Sequence, residues 1–140
     1  MTHQTSSADE TQKLAQNLAE KFKKGAILAL EGNLGAGKTT FTQGFAKGLG
    51  ISEKVISPTF ILMRQYNLPF TKAGKFFHID LYRLENLKAV ESLGLSEIFA
   101  NPNNIILIEW AEKLGNLLPK EATFIKFKTL DENKREIKII

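Results

Sequence analysis

The 140-residue sequence contains no cysteine, and this absence excludes two kinds of architecture. Without thiols the chain can form neither a disulfide framework nor a thiolate metal site. It also has no uninterrupted apolar run of about 18 residues, which a membrane-spanning helix needs. The polar first residues, 1–5, are not those of a signal peptide. These absences predict a cytoplasmic protein that does not associate with a membrane.

Arginine is scarce, although the chain is basic. The formal net charge is +4 and the pI is about 9.3, yet the positive side chains are nearly all scattered lysines. The only arginines are Arg64, Arg83 and Arg135. Nucleic-acid grooves usually group their basic residues, so this distribution favours a solvated lysine-rich surface. The length predicts a single domain, 1–140, with little room for a lid.

The strongest signal is the octapeptide Gly32–Thr39, which fits the phosphate-binding pattern G-x-x-x-x-G-K-[ST]. An apolar run of strand length, 26–31, precedes it, and helical spacing follows over 40–49. Lys38 would neutralise the β- and γ-phosphates, and the Thr39 hydroxyl would bind Mg²⁺. The chain is therefore expected to bind a nucleoside triphosphate through Asn33, Leu34, Gly35, Ala36, Gly37, Lys38, Thr39 and Thr40.

Two further segments can reach such a nucleotide. Ser7 and Glu10 have the spacing of a capping box, so they begin a helix that extends to about residue 23. Thr11 or Gln12 on this helix can approach the base, although a plain surface position is favoured for either residue. Thr59 follows Pro58 in a turn, and it is either a sensor of the γ-phosphate or a residue that caps its own backbone. The residues leave these two alternatives for Thr59 open.

Two strands, 60–66 and 76–83, are predicted to pair antiparallel across a loop. Asp80 lies near the end of the second strand, where a carboxylate can coordinate Mg²⁺-bound water or orient the attacking water. His78 and Tyr82 share its face of the strand. For these two side chains, packing with one hydrogen bond is the favoured interpretation.

The run Ile105–Ile108 is apolar throughout and ends in Glu109, which predicts a central strand that is buried on both faces. In P-loop proteins the acid that closes such a strand lies beside the nucleotide Mg²⁺. Glu109 is therefore the expected acidic magnesium ligand. Trp110 is the next residue, and alternation predicts that it points away from the site and packs.

The remaining segments complete the expected fold. Helical spacing predicts two short helices over 87–99, and 112–119 reads as a connecting turn. Alternating residues over 123–130 and 135–140 predict a closing β-hairpin. The fold class is thus α/β: a three-layer P-loop NTPase domain with a mixed, mostly parallel central sheet and a C-terminal β-hairpin.

Three classes of P-loop protein compete at this point: a small ATPase, a GTPase-like switch and a small-molecule kinase. A GTPase needs an Asp-x-x-Gly switch, and residues 80–83 lack the glycine. Its guanine-reading Asn-Lys-x-Asp is also missing, because the nearest string, 133–136, ends in glutamate. A kinase needs lid arginines, and this chain has three arginines in total and no lid-length insertion. The ATPase is favoured by elimination.

Five motifs occur in one order along the chain: Gly32–Thr40, Ser57–Phe60, His78–Arg83, Gly94-Leu95 with Glu97–Phe99, and Ile108–Trp110. Together they resemble the bacterial TsaE family, also called YjeE, whose members are small ATPases of the tRNA threonylcarbamoyladenosine pathway. The resemblance extends from the N-terminal helix to at least Trp110. It implies a three-layer α/β P-loop domain that uses ATP and Mg²⁺.

The resemblance also implies partners and roles. TsaD and TsaB, which install threonylcarbamoyl on the adenosine next to the anticodon, would form a cytoplasmic complex with this chain and bring it to tRNA. ATP binding and hydrolysis would reset or regulate that complex. Carried onto matching positions, the family roles assign phosphate contacts to Lys38, Mg²⁺ to Thr39 and Glu109, γ-phosphate sensing to Thr59, hydrolysis to Asp80, and base contacts to Thr11 and Arg135.

Overall fold

A computed structural model of the chain describes residues 1–33, 35–55 and 62–140. Its strands are β1 Thr2–Thr5, β2 Ala26–Glu31, β3 Met63–Leu68, β4 Thr71–Asp80, β5 Ile105–Glu109, β6 Thr123–Thr129 and β7 Arg135–Ile139. Its α-helices are α1 Ala8–Ala19, α2 Lys38–Gly48, α3 Lys88–Leu93 and α4 Leu95–Ala100, with 3₁₀ segments at Glu20–Phe22 and Ala111–Leu117. None of the described helices has both the length and the apolar character to cross a membrane.

The strands form one sheet in the order β1-β7-β6-β2-β5-β4-β3. Its centre is parallel, because β2 pairs with β5 and β6, and β5 pairs with β4, all in the same direction. The pairs β3–β4, β6–β7 and β1–β7 are antiparallel. The predicted mixed, mostly parallel sheet with a C-terminal hairpin is confirmed.

Apolar side chains on the two faces of β5 pack against different layers. Ile105 and Leu107 belong to one core cluster with residues of α1 and α2. Ile106 and Ile108 belong to a second cluster with residues of α3, α4 and the 3₁₀ segment Ala111–Leu117. Every residue of β5 is buried, as expected for a central strand that is covered on both faces. The sheet is therefore the middle of three layers.

Aromatic packing fixes α2 over the centre of the sheet. Phe41 and Phe45 lie one turn apart with ring centroids 6.2 Å apart, and Phe45 reaches Phe76 of β4 at 6.1 Å. Phe41 meets Phe127 of β6 edge to face at 5.3 Å. Because α2 spans β4 to β6, its N-terminus is held at the carboxyl ends of the parallel strands.

The N-terminal strand β1 is not indicated by the sequence, because four consecutive polar residues show no alternation of apolar side chains. It forms through its backbone, which pairs with the edge of β7 so that Thr5 lies opposite Arg135. The predicted N-cap is confirmed, because the Ser7 hydroxyl accepts the N–H of Glu10. The reciprocal bond of a capping box is displaced by one residue, because the Glu10 carboxylate accepts the N–H of Ser6 and not that of Ser7.

Three other predicted boundaries change. Strand β4 begins at Thr71, so only residues 69–70 connect it to β3. The start of the strand predicted over 60–66 lies partly outside the described residues, and β3 begins at Met63. The predicted turn at 112–119 contains 3₁₀ structure from Ala111 to Leu117. The ends of strands and short 3₁₀ segments depend on local contacts, and segments this short carry too little periodicity for a sequence pattern to detect.

Candidate nucleotide-binding site

The site lies at the carboxyl end of β2, where the chain turns into α2. Gly35 and Gly37 have φ angles of +79° and +99°, a left-handed conformation that costs other residues roughly 1–2 kcal/mol. The loop is closed by the N–H of Ala36, which donates to the carbonyl of Asn33 over 3.1 Å. The first turn of α2 lines a cavity, and the N–H groups and positive dipole end of such a helix terminus are suited to binding an anion. Leu34 lies outside the described residues.

A cavity of about 490 Å³ opens at this helix terminus. It is lined by the N-terminal end of α1, the loop and first turn of α2, the ends of β4 and β5, and the β6–β7 turn. The structure brings together most of the predicted site residues on its wall: Thr11, Gly35, Gly37, Lys38, Thr39, Thr40, Asp80, Glu109 and Arg135.

Two predicted loop residues do not line this cavity. Ala36 is 1% exposed and packs in the core under α2, so its contribution is steric. Asn33 is exposed and closes the loop through its carbonyl. The prediction for Thr59 falls outside the described residues and stays a prediction.

Lys38 carries a nearly buried positive charge. Its side chain is 5% exposed, its Nζ donates to the Gly32 carbonyl over 2.6 Å, and the same Nζ lies 4.3 Å from the centroid of the Trp110 ring. A buried ammonium needs such partners, because desolvation of an unpaired charge is costly. The side chain is therefore held folded against the loop, at the wall of the cavity.

The prediction that Trp110 points away from the site is wrong. Its φ angle is +60°, the one positive value among the described residues other than glycine. This conformation ends the strand alternation immediately after Glu109 and turns the indole ring toward Lys38 and the cavity. Tyr82 packs on the same ring, with centroids 5.2 Å apart. The two aromatic residues thus form one side of the cavity mouth.

Two carboxylates emerge side by side beneath the loop. Strands β4 and β5 are parallel, and Asp80 is the register partner of Glu109. Burial raises the pKa of Asp80, and the negative charge of Glu109 raises it further. The Tyr82 N–H, which donates to Asp80 Oδ1 over 3.0 Å, lowers the pKa but does not cancel the effect of burial. The Asp80 pKa therefore lies above its ordinary value. A carboxylate in this state accepts a proton more readily than an exposed aspartate.

Glu109 is 4% exposed and bonded to a histidine. The Nε2 atom of His78 lies 2.6 Å from Oε2 of Glu109, and His78 is itself 1% exposed. The expectation for His78 is confirmed: the side chain is packed and makes one hydrogen bond within the described part of the chain. Its partner could not be identified from the sequence, because the two residues are 31 positions apart and meet only through the pairing of β4 with β5.

Thr11 is buried, so the plain surface position favoured for it is wrong. It is 2% exposed, and its hydroxyl shares a 2.7 Å hydrogen bond with the hydroxyl of Thr5 at the end of β1. The capped first turn of α1 places it on the cavity wall. The neighbouring Gln12 lies 3.4 Å from the side chain of Gln43 instead.

Arg135 connects the hairpin to the phosphate loop. Its guanidinium donates to the carbonyl of Gly35 over 3.2 Å, and to the carbonyls of Asp131 and Lys134 over 2.9 and 3.0 Å. The guanidinium group therefore joins β7, the β6–β7 turn and the P-loop at the cavity wall. Sequence reasoning missed the other residues of this region, Glu132 and Asn133, since nothing in a turn motif indicates what it covers.

The residues present fit a magnesium ion that is bound together with phosphate. No three His, Asp or Glu side chains in the described part of the chain are grouped so as to hold a metal by themselves. Mg²⁺ at phosphate sites typically takes one or two protein oxygens, with phosphate oxygens and water completing its shell. The Thr39 hydroxyl and the Glu109 carboxylate line the same cavity and match that donor set.

Strand β2, the loop that ends in Lys38 and Thr39, helix α2 and the acid of β5 define the P-loop NTPase class. The sequence model of the family described as "Threonylcarbamoyl adenosine biosynthesis protein TsaE" matches residues 5–137. The chain belongs to the TsaE family.

Curated relatives and a solved structure agree with this assignment. A Bacillus subtilis protein named "tRNA threonylcarbamoyladenosine biosynthesis protein TsaE" is 43% identical over 95% of this chain and 80% of its own length. Proteins of the same name from Rickettsia conorii and Treponema pallidum are 41% and 34% identical, over 99% and 95% of this chain and 77% and 95% of their own lengths. The crystal structure of Bacillus subtilis YdiB has a TM-score of 0.78 and 36% identity, covering 98% of this chain and 82% of that one.

Proposed function

We propose that this chain is a Mg²⁺-dependent ATP hydrolase that serves threonylcarbamoyladenosine modification of tRNA. One observation carries the hydrolase part of the proposal. A nearly buried lysine, Lys38, lies at the end of a glycine loop and shares a cavity with a hydroxyl and two adjacent carboxylates, Thr39, Asp80 and Glu109. A static packing role would not require these groups to converge on an open cavity.

Each group has a distinct task in this proposal. The N–H groups of the loop and the ammonium of Lys38 bind the β- and γ-phosphates of the substrate. Thr39 and Glu109 would hold Mg²⁺, which neutralises phosphate charge when it is bound. Asp80 holds the attacking water and takes up its proton, a task that suits a carboxylate whose pKa is raised by burial.

The pathway part of the proposal is supported by the family. The family description and the names of the relatives both specify threonylcarbamoyladenosine biosynthesis. In our proposal TsaD and TsaB are the cytoplasmic partners, the chain meets tRNA through their complex, and the nucleotide cycle regulates or resets that complex. We expect slow hydrolysis by the isolated chain, because water exclusion would depend on a docked partner.

The test is a hydrolysis assay with purified protein, alone and with TsaD and TsaB, with GTP as a parallel substrate. We expect stimulation by the partners and a preference for ATP. Lys38→Ala should weaken nucleotide binding about ten- to 100-fold, the range of a lost charged hydrogen bond. Asp80→Ala should lower the rate more than the affinity. Glu109→Ala, which removes a proposed magnesium ligand, should lower the affinity with Mg²⁺ as well, but the rate by more.

Lys47→Ala, on the exposed side of α2, is the matched control and should behave as the wild type. Preferred hydrolysis of GTP, or transfer of the γ-phosphoryl group to a small molecule, would replace the ATPase proposal by one of its alternatives. Unchanged hydrolysis in all three site variants would show that the site is wrongly assigned.

A further inference from the structure

His78 of β4 and Glu109 of β5 form a buried polar pair, and Glu109 also lines the cavity. The side chains of His78 and Glu109 are 1% and 5% exposed, and Nε2 lies 2.6 Å from Oε2. A proton must lie between the two atoms at this distance, because two lone pairs would repel. A carboxylic acid is a stronger acid than an imidazolium, so the proton is placed on Nε2, with histidine as the donor and the carboxylate as the acceptor.

Stability of the sheet alone does not account for a histidine at this position. Among the described residues, the Nδ1 atom of His78 is buried without a hydrogen-bond partner, and an unpaired buried polar atom destabilises the folded state. A leucine would fill the space between β4 and α2 without that cost. What histidine adds is the single hydrogen bond from Nε2.

That hydrogen bond restrains the carboxylate that faces the cavity. Oε2 of Glu109 is engaged by His78, which leaves Oε1 to bind a ligand, and Glu109 lines the cavity together with Thr39. A glutamate side chain has several rotamers, and a fixed partner on one oxygen selects among them. Ligands of metal ions are commonly oriented by such second partners, whose loss lowers metal affinity about ten- to 100-fold.

We propose that His78 is a positioning residue that holds Glu109 so that its free oxygen meets the magnesium ion of the bound nucleotide. The proposal rests on the function proposed above, because it concerns the same ion.

The experiment measures nucleotide affinity, not turnover. Trp110 is the only tryptophan and lies on the cavity wall, so its emission reports titration with a non-hydrolysable ATP analogue. Each titration is made with Mg²⁺ and with a chelator. His78→Leu should lose about ten- to 100-fold in the Mg²⁺-dependent gain of affinity, with the affinity in chelator unchanged. Phe76→Leu, a buried change two residues earlier on the same face of β4, should leave the Mg²⁺-dependent gain of affinity unchanged.

Two polar variants separate positioning from folding. The amide nitrogen of His78→Gln reaches about as far as Nε2 and should restore most of the Mg²⁺ effect. The amide of His78→Asn is as polar but too short, so this variant should resemble His78→Leu. If His78→Leu does not fold, the contrast between Gln and Asn decides the question. Combining His78→Leu or His78→Asn with Glu109→Gln should lose no more than Glu109→Gln alone.

The outcomes distinguish the two proposals. If Mg²⁺ raises the wild-type affinity but His78→Leu and His78→Asn keep the full effect, the positioning role is overturned and the proposed function stands. If Mg²⁺ does not change the wild-type affinity, the magnesium site itself is wrong and the positioning role falls with it. Additive losses in the double variant would show that His78 does not act through Glu109.

Discussion

Gly44 lies where α2 crosses α1, and its replacement by alanine tests how closely the two helices must approach. A Cβ atom at this position would lie 2.3 Å from the carbonyl oxygen of Gln12 and 2.6 Å from its Cα atom. Ordinary contacts of a Cβ begin at 3.4 Å. The two helices would therefore have to separate by about 1 Å, because the opposing atoms are backbone and cannot rotate away.

Two effects of opposite sign set the magnitude. Alanine is a better helix former than glycine by about 1 kcal/mol. Overpacking of a filled core costs about 1–3 kcal/mol, and rigid backbone neighbours place this site at the upper end. We expect Gly44→Ala to lower the free energy of unfolding by about 2 kcal/mol. It should also weaken nucleotide binding, because α1 carries Thr11 to the cavity wall.

Urea unfolding of the wild type, Gly44→Ala and the exposed control Lys47→Ala gives the comparison. The control changes the same helix without entering the contact with α1, and surface changes of this kind are usually within about 0.5 kcal/mol. A Gly44→Ala protein that is more stable than the wild type by about 1 kcal/mol would follow propensity alone. That result would refute the close approach of α1 and α2.

Three further predictions concern other contacts. Arg135→Ala removes the donors to Gly35 and the hairpin turn, so nucleotide affinity in a binding titration should fall about ten-fold. Asn104→Ala leaves the Lys75 N–H and a carbonyl of α4 without their partner, which should lower the urea-derived stability by about 2 kcal/mol; an unchanged value would contradict the bridge. Two turn N–H groups lower the pKa of Asp131 in the folded state. The Asp131 carboxylate should therefore stabilise the fold above about pH 4, the pKa of an unfolded aspartate. This stabilisation should be lost as the pH falls through the lower pKa of the folded state. The difference in Tm between wild type and Asp131→Ala should accordingly shrink on acidification, and a difference that grows would contradict the sign.

The elements that the sequence predicted best are those whose own residues carry the signal. The bounds of β2 agree with the apolar run 26–31, and β5 agrees with the run that ends in Glu109. Alternation along β4 separated Phe77 from His78 correctly. Each of these signals is local, because periodic burial is encoded within one strand or helix.

The elements that were missed depend on partners far along the chain. Strand β1 has no pattern of its own and exists because β7 offers an edge. The orientation of Trp110 follows from one left-handed residue after β5, which interrupts the alternation on which the prediction relied. The roles expected for Leu34 and Thr59 lie outside the described residues and stay predictions.

By itself the sequence determined the class of this protein: the octapeptide ending in Lys38 and Thr39, the acid at the end of a buried strand, and the family motifs in their order. Only the tertiary structure decided which groups act as one site. The parallel pairing of β4 with β5 placed Asp80 beside Glu109 and gave Glu109 its histidine partner. The hairpin brought Arg135 to a loop 100 residues earlier. Such contacts depend on register and on strand order, and a strand's own residues do not record which neighbour it will meet.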